Sequence, residues 1–425
     1  MLHNVPMEQK LLALSEVADM LSVSKETLRR WDSSGKLVSV RHPINSYRMY
    51  RKSDLKKFEQ LGFLFEEVTK DTANHLPAKK YRSVELFAGA GGLALGLEQA
   101  GFECVMLNEI DKAACDTLRT NRPKWNVVEG DVSKINFKPF KGKVELLTGG
   151  FPCQAFSYAG KKLGFEDARG TLFYEFARAI KEMKPLVAVG ENVRGLLSHE
   201  NGKTLQGMIS ILEELGYRVI TPQILKAIFF KVPQKRERLF IVAIRKDLKI
   251  SFEFPKPDKK ILSIKDALKA GSLYKTDVPP SNGQKYPKEK IEVMKLVPPG
   301  GYWRDLPLAI QKSYMKKSFF LGGGKTGMAR RMSWEEPSLT LTCAPAQKQT
   351  ERCHPDENRP FTVREYARIQ TFPDDWSFSG SLTAQYKQIG NAVPVNLAKA
   401  VGVQIVKMLN DHFLVKSSKL LKLNK

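Results

Sequence analysis

Ser83-Val84-Glu85-Leu86-Phe87-Ala88-Gly89-Ala90-Gly91-Gly92-Leu93 is the stretch on which the fold turns. An apolar strand, 83–87, runs into a glycine-rich loop, and an apolar helix, 93–100, leaves it. Glycines there let the backbone approach a ligand closely. Moving outward, the chain repeats this unit. Residues 102–107 read as a second strand, 111–120 as a helix and 127–129 as a third strand. Leu146-Leu147 belongs to a fourth strand, 172–184 form a helix, and 186–189 are a fifth strand. Strand and helix alternating through short loops predict an α/β fold built on a doubly wound parallel sheet.

Ligands of such sheets settle at the C-terminal ends of the strands, and reactive side chains collect there. Glu109 follows the second strand, where a carboxylate can take ribose hydroxyls, and Asp131 follows the third, in reach of an adenine amino group. The loop 87–93 offers no lysine for a phosphate, so adenosine without phosphates, as in S-adenosylmethionine, fits better than a nucleotide. Gly149-Gly150-Phe151-Pro152-Cys153-Gln154-Ala155-Phe156-Ser157 presents a thiol at the end of the fourth strand. A thiol there can be a nucleophile, and the loop after it can close over a substrate. Glu191-Asn192-Val193 ends the fifth strand, and Gln234-Lys235-Arg236-Glu237-Arg238 precedes another apolar strand, 239–244. In a parallel sheet these ends share one edge, which brings a thiol, a carboxylate and two guanidiniums near the glycine loop.

Composition narrows the partner. The 425 residues carry a net charge of +24, the footprint of a polyanion binder. Residues 246–334 hold 19 Lys and Arg against 8 Asp and Glu, so +11 of that excess falls on one segment facing phosphates. No apolar run approaches the ~18 residues that span a membrane, and the N-terminus lacks the basic and apolar regions of a signal peptide. Five cysteines, an odd number in a long chain, argue against a disulfide framework and for a reducing, cytoplasmic setting.

Six segments are expected. Residues 9–58 resemble the winged helix-turn-helix of MerR-like and excisionase-like DNA binders: a helix capped by Ser15, a second capped by Ser24 and ended by Gly35, then a strand over 46–50. In those proteins the second helix enters the major groove, so Lys25, Thr27, Arg29 and Arg30 would face DNA. A polar linker spans 59–80, a catalytic and cofactor-binding domain 81–248, a loop-rich target-recognition domain 249–345, the returning catalytic domain 346–412, and a frayed basic tail 413–425.

The ordered motifs resemble those of the DNA (cytosine-5) methyltransferases of bacterial restriction–modification type. They are Phe87-Ala88-Gly89-Ala90-Gly91-Gly92, Asn108-Glu109, Gly130-Asp131, Gly150-Phe151-Pro152-Cys153-Gln154, Arg169-Gly170-Thr171-Leu172-Phe173, Glu191-Asn192-Val193, Gln234 to Arg238, Arg364-Glu365-Tyr366-Ala367-Arg368 and Gly390-Asn391-Ala392-Val393-Pro394. The resemblance implies a Rossmann-like S-adenosylmethionine-dependent methyltransferase sheet, a small target-recognition domain and an added helix-turn-helix module. It assigns Cys153 as the nucleophile, Glu191 to N3 of the base, Arg238 to the base O2, and Arg236 to steadying the catalytic loop or a phosphate. Cofactor contacts would come from Phe87, Ala88, Gly89, Gly91, Gly92, Leu93, Glu109, Ile110, Asp131, Val132, Gly150, Pro152, Leu172, Asn391 and Val393. Ile110 stands where such enzymes often carry an aromatic against adenine. DNA contacts would come from Gln154 and Ser157, from Lys161, Lys162 and Arg169 in a lid over 157–169, and from Lys325, Arg330, Arg331 and Thr340 in the basic insert, Thr340 holding a phosphate.

The resemblance further implies methylation of a flipped cytosine in a short duplex sequence, by a monomer on DNA. A cognate restriction endonuclease would act on the same sequence without direct contact. The base that removes the C5 proton is not identified. The alternatives are an RNA cytosine-5 methyltransferase, which the basic insert disfavours, and a methyltransferase doubling as a transcription autoregulator through its helix-turn-helix module, a role that can coexist with methylation.

Overall fold

The computed structural model describes residues 11–42, 46–66, 76–152, 171–321 and 326–423, with side chains described to Phe413. The chain forms two compact units: residues 1–73 with 256–261, and 74–255 with 262–425.

In the smaller unit, β1 (Leu11–Ala13) leads into α1 (Leu14–Leu21) and α2 (Lys25–Ser33), followed by β2 (Val40–Arg41) and β3 (Arg48–Arg51). The three strands form one antiparallel sheet, with β3 in the middle. Ser24 caps α2 as expected, its Oγ accepting from Thr27 N–H at 2.9 Å. Ser15 does not cap α1; it lies inside the helix, and Glu16 reaches back to Ala13 N–H at 2.8 Å. The expected linker begins inside the module, because residues Glu59–Leu64 coil into a 3₁₀ helix that buries Leu61 and Leu64.

The larger unit contains β4 (Tyr81–Leu86), α3 (Gly92–Gln99), β5 (Phe102–Glu109), α4 (Lys112–Asn121), β6 (Val127–Glu129), β7 (Leu146–Gly149), α5 (Leu172–Met183), β8 (Val187–Val193), α6 (Lys203–Glu214), β9 (Tyr217–Val219), β10 (Gln223–Lys226), β11 (Gln234–Lys235) and β12 (Glu237–Arg245). The main sheet runs β10-β12-β8-β7-β4-β5-β6, with β9 also on β12. Strands β8, β7, β4, β5 and β6 are parallel, and β4, β7 and β8 are buried along most of their length. β12 is antiparallel to β8, so the sheet is mixed rather than wholly parallel. That reversal matters for the site: it is the start of β12, not its end, that lies beside the C-terminal end of β8, pairing Arg238 with Val193.

From β4 the chain moves outward to β5 and β6, then crosses back to β7 and β8 on the other side. The switch leaves a crevice at the C-terminal ends of β4, β5 and β7. Beyond the sheet come α7 (Ile264–Leu268), α8 (Lys288–Lys295), α9 (Leu308–Met315), β13 (Ser338–Leu339), α10 (Val363–Ile369), α11 (Leu382–Asn391) and α12 (Val395–Leu423). The basic insert has its own small core, including Tyr286, Met294, Trp303, Met315 and Met328. α12 packs on α3 so closely that a Cβ on Gly96 would lie 2.4 Å from Ala398 Cβ. The helix continues to Leu423, through the stretch expected to fray. The span Leu382–Phe413 is long and apolar enough to cross a membrane by length and composition, but 67% of its most apolar window is buried in the fold.

Candidate active site

A cavity of about 710 Å³ opens at the switch point of the sheet. Its wall is assembled from the strand ends. Phe87, Ala88 and Gly89 follow β4, Asn108, Glu109 and Ile110 end β5, and Gly130, Asp131 and Val132 follow β6. Gly150, Phe151 and Pro152 follow β7, while Glu191, Asn192 and Val193 close β8. Glu85, Gly92, Leu93, Leu172, Arg238, Lys387, Asn391, Ala392 and Val393 complete it.

The glycine loop is held by the acid of the next strand. Gly89 N–H donates to Glu109 Oε2 at 2.8 Å, and the Ile110 and Asp111 N–H groups donate to Oε1, each at 2.8 Å. Phe87 accepts a left-handed backbone (φ 59°), unusual for an aromatic residue, as the chain turns into the loop. Gly92 opens α3 against the C-terminal segment, where a Cβ would stand 2.2 Å from Val393 O. This contact brings Asn391 and Val393, some 300 residues later in the chain, to the cavity. Asp131 accepts from Ser133 N–H at 2.9 Å, and that bond leads the interactions holding its carboxyl below the usual range. Ile110 is 72% exposed and lines the cavity, an apolar surface for a flat ring.

At the other wall, Arg238 Nε lies 2.7 Å from Glu191 Oε1. The contact is an ion pair, and Oε1 has no further partner among the described residues. Burial drives the Glu191 carboxyl above its ordinary range, against the opposing pull of Arg238 and Arg236. Gly150 lies close to this carboxyl: a Cβ on it would meet Glu191 Oε2 at 3.0 Å, so the side chain would have to shift slightly. Asn192 Nδ2 donates to Phe151 O at 2.9 Å and so ties β8 to the segment entering Cys153.

The structure thus brings together all the expected cofactor residues except Gly91. Gly91 is the N-cap of α3 (φ 81°), and its Cα faces Leu118, where a Cβ would stand 2.6 Å from Cδ2. Arg236 does not join Glu191 and Arg238 on the wall. It is 1% exposed, and its guanidinium donates to Leu341 O, Gly390 O and Asn391 O. Burial lowers its pKa to about 9.

The expected DNA contacts divide. Arg331 is buried and donates to Val297 O, Met294 O, His354 O, Pro355 O, Glu357 O and Asn358 Oδ1, so it is a structural tie rather than a groove contact. Arg330 is half-buried with its guanidinium 5.8 Å from the Tyr302 ring centroid. Thr340 Oγ1 donates to Lys235 O at 2.5 Å, which commits its proton internally. Lys312, Lys316 and Lys317 are exposed on the same segment. In the helix-turn-helix unit Arg29 and Arg30 are exposed on α2, and Lys25 and Thr27 half-buried. Cys153, Gln154, Ser157, Lys161, Lys162, Arg169 and Lys325 lie outside the described residues.

Sequence reasoning missed Glu85 and Lys387 in the wall, and it quoted Asn108, Gly130, Phe151, Asn192, Val193 and Ala392 in motifs without naming them as contacts. Glu85 carried a signal: it is an acid inside an apolar strand. Lys387 carried none, because α11 delivers it from far along the chain, paired to Asp111 at 3.0 Å.

Comparison with known proteins agrees with this geometry. Residues 81–407 match the model of the C-5 cytosine-specific DNA methylases, and residues 11–60 match a helix-turn-helix domain. The chain is 66% identical over 400 residues to the type II methyltransferase M.Eco47II of Escherichia coli, covering 94% of this chain and 96% of that one. It is 61% identical to M.PspPI of Psychrobacter sp. (strain TA137), covering 93% and 95%, and 54% identical to M.Sau96I of Staphylococcus aureus, covering 80% and 79%. Among solved structures, a candidate DNA modification methyltransferase encoded within an Escherichia coli prophage shares the fold at TM-score 0.60 and 23% identity, over 78% of this chain and all of that one.

Proposed function

The chain belongs to the C-5 cytosine-specific DNA methylase family, and from that premise we propose that it moves a methyl group from S-adenosylmethionine to C5 of a flipped cytosine in a short duplex sequence. The observation that carries this reading is the shared cavity. The Glu191–Arg238 pair and the backbone leading into Cys153 open onto the same space as the glycine loop and Glu109.

The residues present fit the cofactor. Glu109, oriented by three backbone N–H groups, would take the ribose hydroxyls; Asp131 and Ile110 would meet the adenine. The cofactor supplies an electrophilic methyl on sulfur, and the protein must make C5 nucleophilic. Cys153, directly after Pro152 on the cavity wall, would add as thiolate to C6 and push the ring electrons toward C5. Glu191, buried and inclined to hold a proton, would donate it at N3 as charge builds on the ring. Arg238 would bind O2 while keeping Glu191 in place. Loss of the C5 proton and expulsion of the Cys153 thiolate then restore the aromatic ring. A base stacked in a duplex hides C5 and C6, so the nucleotide must swing out to reach Cys153.

Tritiated methyl transfer to duplex DNA tests the reading. It should vanish in Cys153→Ala, and transfer to RNA alone would overturn it. Bisulfite sequencing of DNA from cells expressing the chain should show one short sequence methylated. That DNA should resist an endonuclease of the same specificity, as a restriction–modification role requires. Sizing of the DNA complex should give one chain per site. The helix-turn-helix unit, with Arg29 and Arg30 exposed on a capped helix, supports a second DNA contact used in regulation. Removing residues 1–73 should then spare methyl transfer.

A further inference from the structure

One acid in the cavity wall has no part in the chemistry above. Glu85 stands in the middle of the apolar strand β4, 2% exposed, and lines the cavity. Its Oε2 has no hydrogen-bond partner among the described residues. The same holds for Thr148 Oγ1, directly beside it on β7. A buried carboxylate without a partner is too costly to keep charged, so such groups hold a proton or wait for a cation.

The surrounding charges do not supply that cation. Glu109 on β5 and Glu191 on β8 are both acidic and, after burial itself, push the Glu85 carboxyl well above its ordinary range. Cys104, opposite Ser83 on β5, is a thiol raised by burial and by Glu85. Among the described residues the cavity's two cations are already engaged: Arg238 with Glu191 at 2.7 Å, and Lys387 with Asp111 at 3.0 Å. Four carboxyl groups therefore face one space: Glu191 is paired with Arg238, Glu109 and Asp131 accept from backbone N–H groups, and Glu85 is the buried one whose Oε2 has no hydrogen-bond partner among the described residues.

We propose that Glu85 is the counter-charge for a cationic methyl donor: it carries a proton in the free protein, releases it to solvent when the donor's positive centres enter, and so makes the cavity prefer the sulfonium donor to the thioether product. This rests on reading the cavity as the S-adenosylmethionine site. The balance is simple. The carboxyl loses one proton to buffer on donor binding. Once the methyl has left and the sulfur is neutral, the carboxylate loses part of its partner and recovers a proton from solvent, which favours exchange of product for fresh donor.

Titration calorimetry on the full chain near neutral pH, in two buffers of different ionisation enthalpy, reads the proton directly. S-adenosylmethionine should release a proton, as should sinefungin, which carries an amine in place of the sulfonium; S-adenosylhomocysteine should release less. In Glu85→Gln the release should disappear, and the preference for donor over product should fall on the order of tenfold. Glu191→Gln should retain the release, which assigns the proton to Glu85. Binding of the donor to the unaltered chain without proton release overturns the inference, even if Glu85→Gln fails to fold. So does a Glu85→Gln protein that melts normally and keeps the release and the preference. If neither donor nor product binds, the cofactor reading falls, and this inference with it.

Discussion

The sheet edge and the basic insert treat their charged residues in opposite ways. At the edge, strand ladders satisfy the backbone, and side chains are left to face a space: Glu85 Oε2 and Glu191 Oε1 have no hydrogen-bond partner among the described residues. In the insert, strands are few, and the carbonyls of its loops need donors from elsewhere. Arg331 alone serves five carbonyls and one amide oxygen, those of Met294 and Val297 in the insert and those of His354, Pro355, Glu357 and Asn358 in the segment just after it. Arg352 likewise donates to Thr340 O and Glu351 O. An arginine in a loop-rich segment is thus as readily a substitute for a missing ladder as a contact to phosphate. The +11 charge of residues 246–334 overstates what that segment can offer DNA.

The contrast can be tested by mutation. Glu191→Gln should cut methyl transfer by about 10²–10³-fold, roughly 3–4 kcal/mol of transition-state stabilisation, while leaving the melting temperature within a degree or two. An equal loss of stability would mean the edge is built like the insert. Arg331→Ala should do the reverse. Several buried carbonyls lose their donor, costing about 3 kcal/mol of stability, while the salt dependence of DNA binding keeps its slope. A shallower slope would show that Arg331 touches phosphate after all.

Gly92→Ala should cost roughly 2 kcal/mol and weaken cofactor binding, because the added methyl collides with Val393 O and shifts the segment that carries Asn391. Calorimetric binding with an unchanged constant would count against that close approach.

The same use of side chains for loops recurs in the helix-turn-helix unit, where Asp32 accepts from Ser39 N–H at 2.8 Å, Ser39 Oγ and Arg48. Burial alone would raise its carboxyl, but these partners outweigh burial and hold it at about 2. A lowered carboxyl contributes its stability above the unfolded value, near pH 4, and loses it as pH falls toward 2. The unit should therefore weaken by up to roughly 2 kcal/mol over that window. Asp32→Asn should flatten the dependence, as followed by hydrogen exchange of residues 25–51.

Much of the sheet edge was legible because its logic is local. A glycine loop after an apolar strand, and an acid ending the next strand, announce themselves within a few residues. So did the Ser24 cap, which needs only its own turn. Arg236 and Arg238 mark where local reading stops. Two residues apart, they would share one face of a regular strand, but Arg236 falls in the break between β11 and β12; Arg238 meets Glu191, while Arg236 is drawn into the core by the carbonyls of Leu341, Gly390 and Asn391. Nothing near them in the chain distinguishes the two environments.

By itself the sequence determined the α/β architecture, the order of the strands that carry Glu109, Cys153 and Glu191, the family and the presence of a separate helix-turn-helix unit, because periodicity and motif spacing are short-range properties. Only the tertiary structure decided that β12 runs antiparallel and so delivers Arg238 from its starting end, that α11 brings Lys387 to the cavity, that Arg331 is consumed by loop carbonyls and that Glu85 Oε2 has no hydrogen-bond partner among the described residues. Each of those depends on which distant groups meet a side chain, and hydrogen-bond satisfaction and burial are settled only when the whole chain has packed.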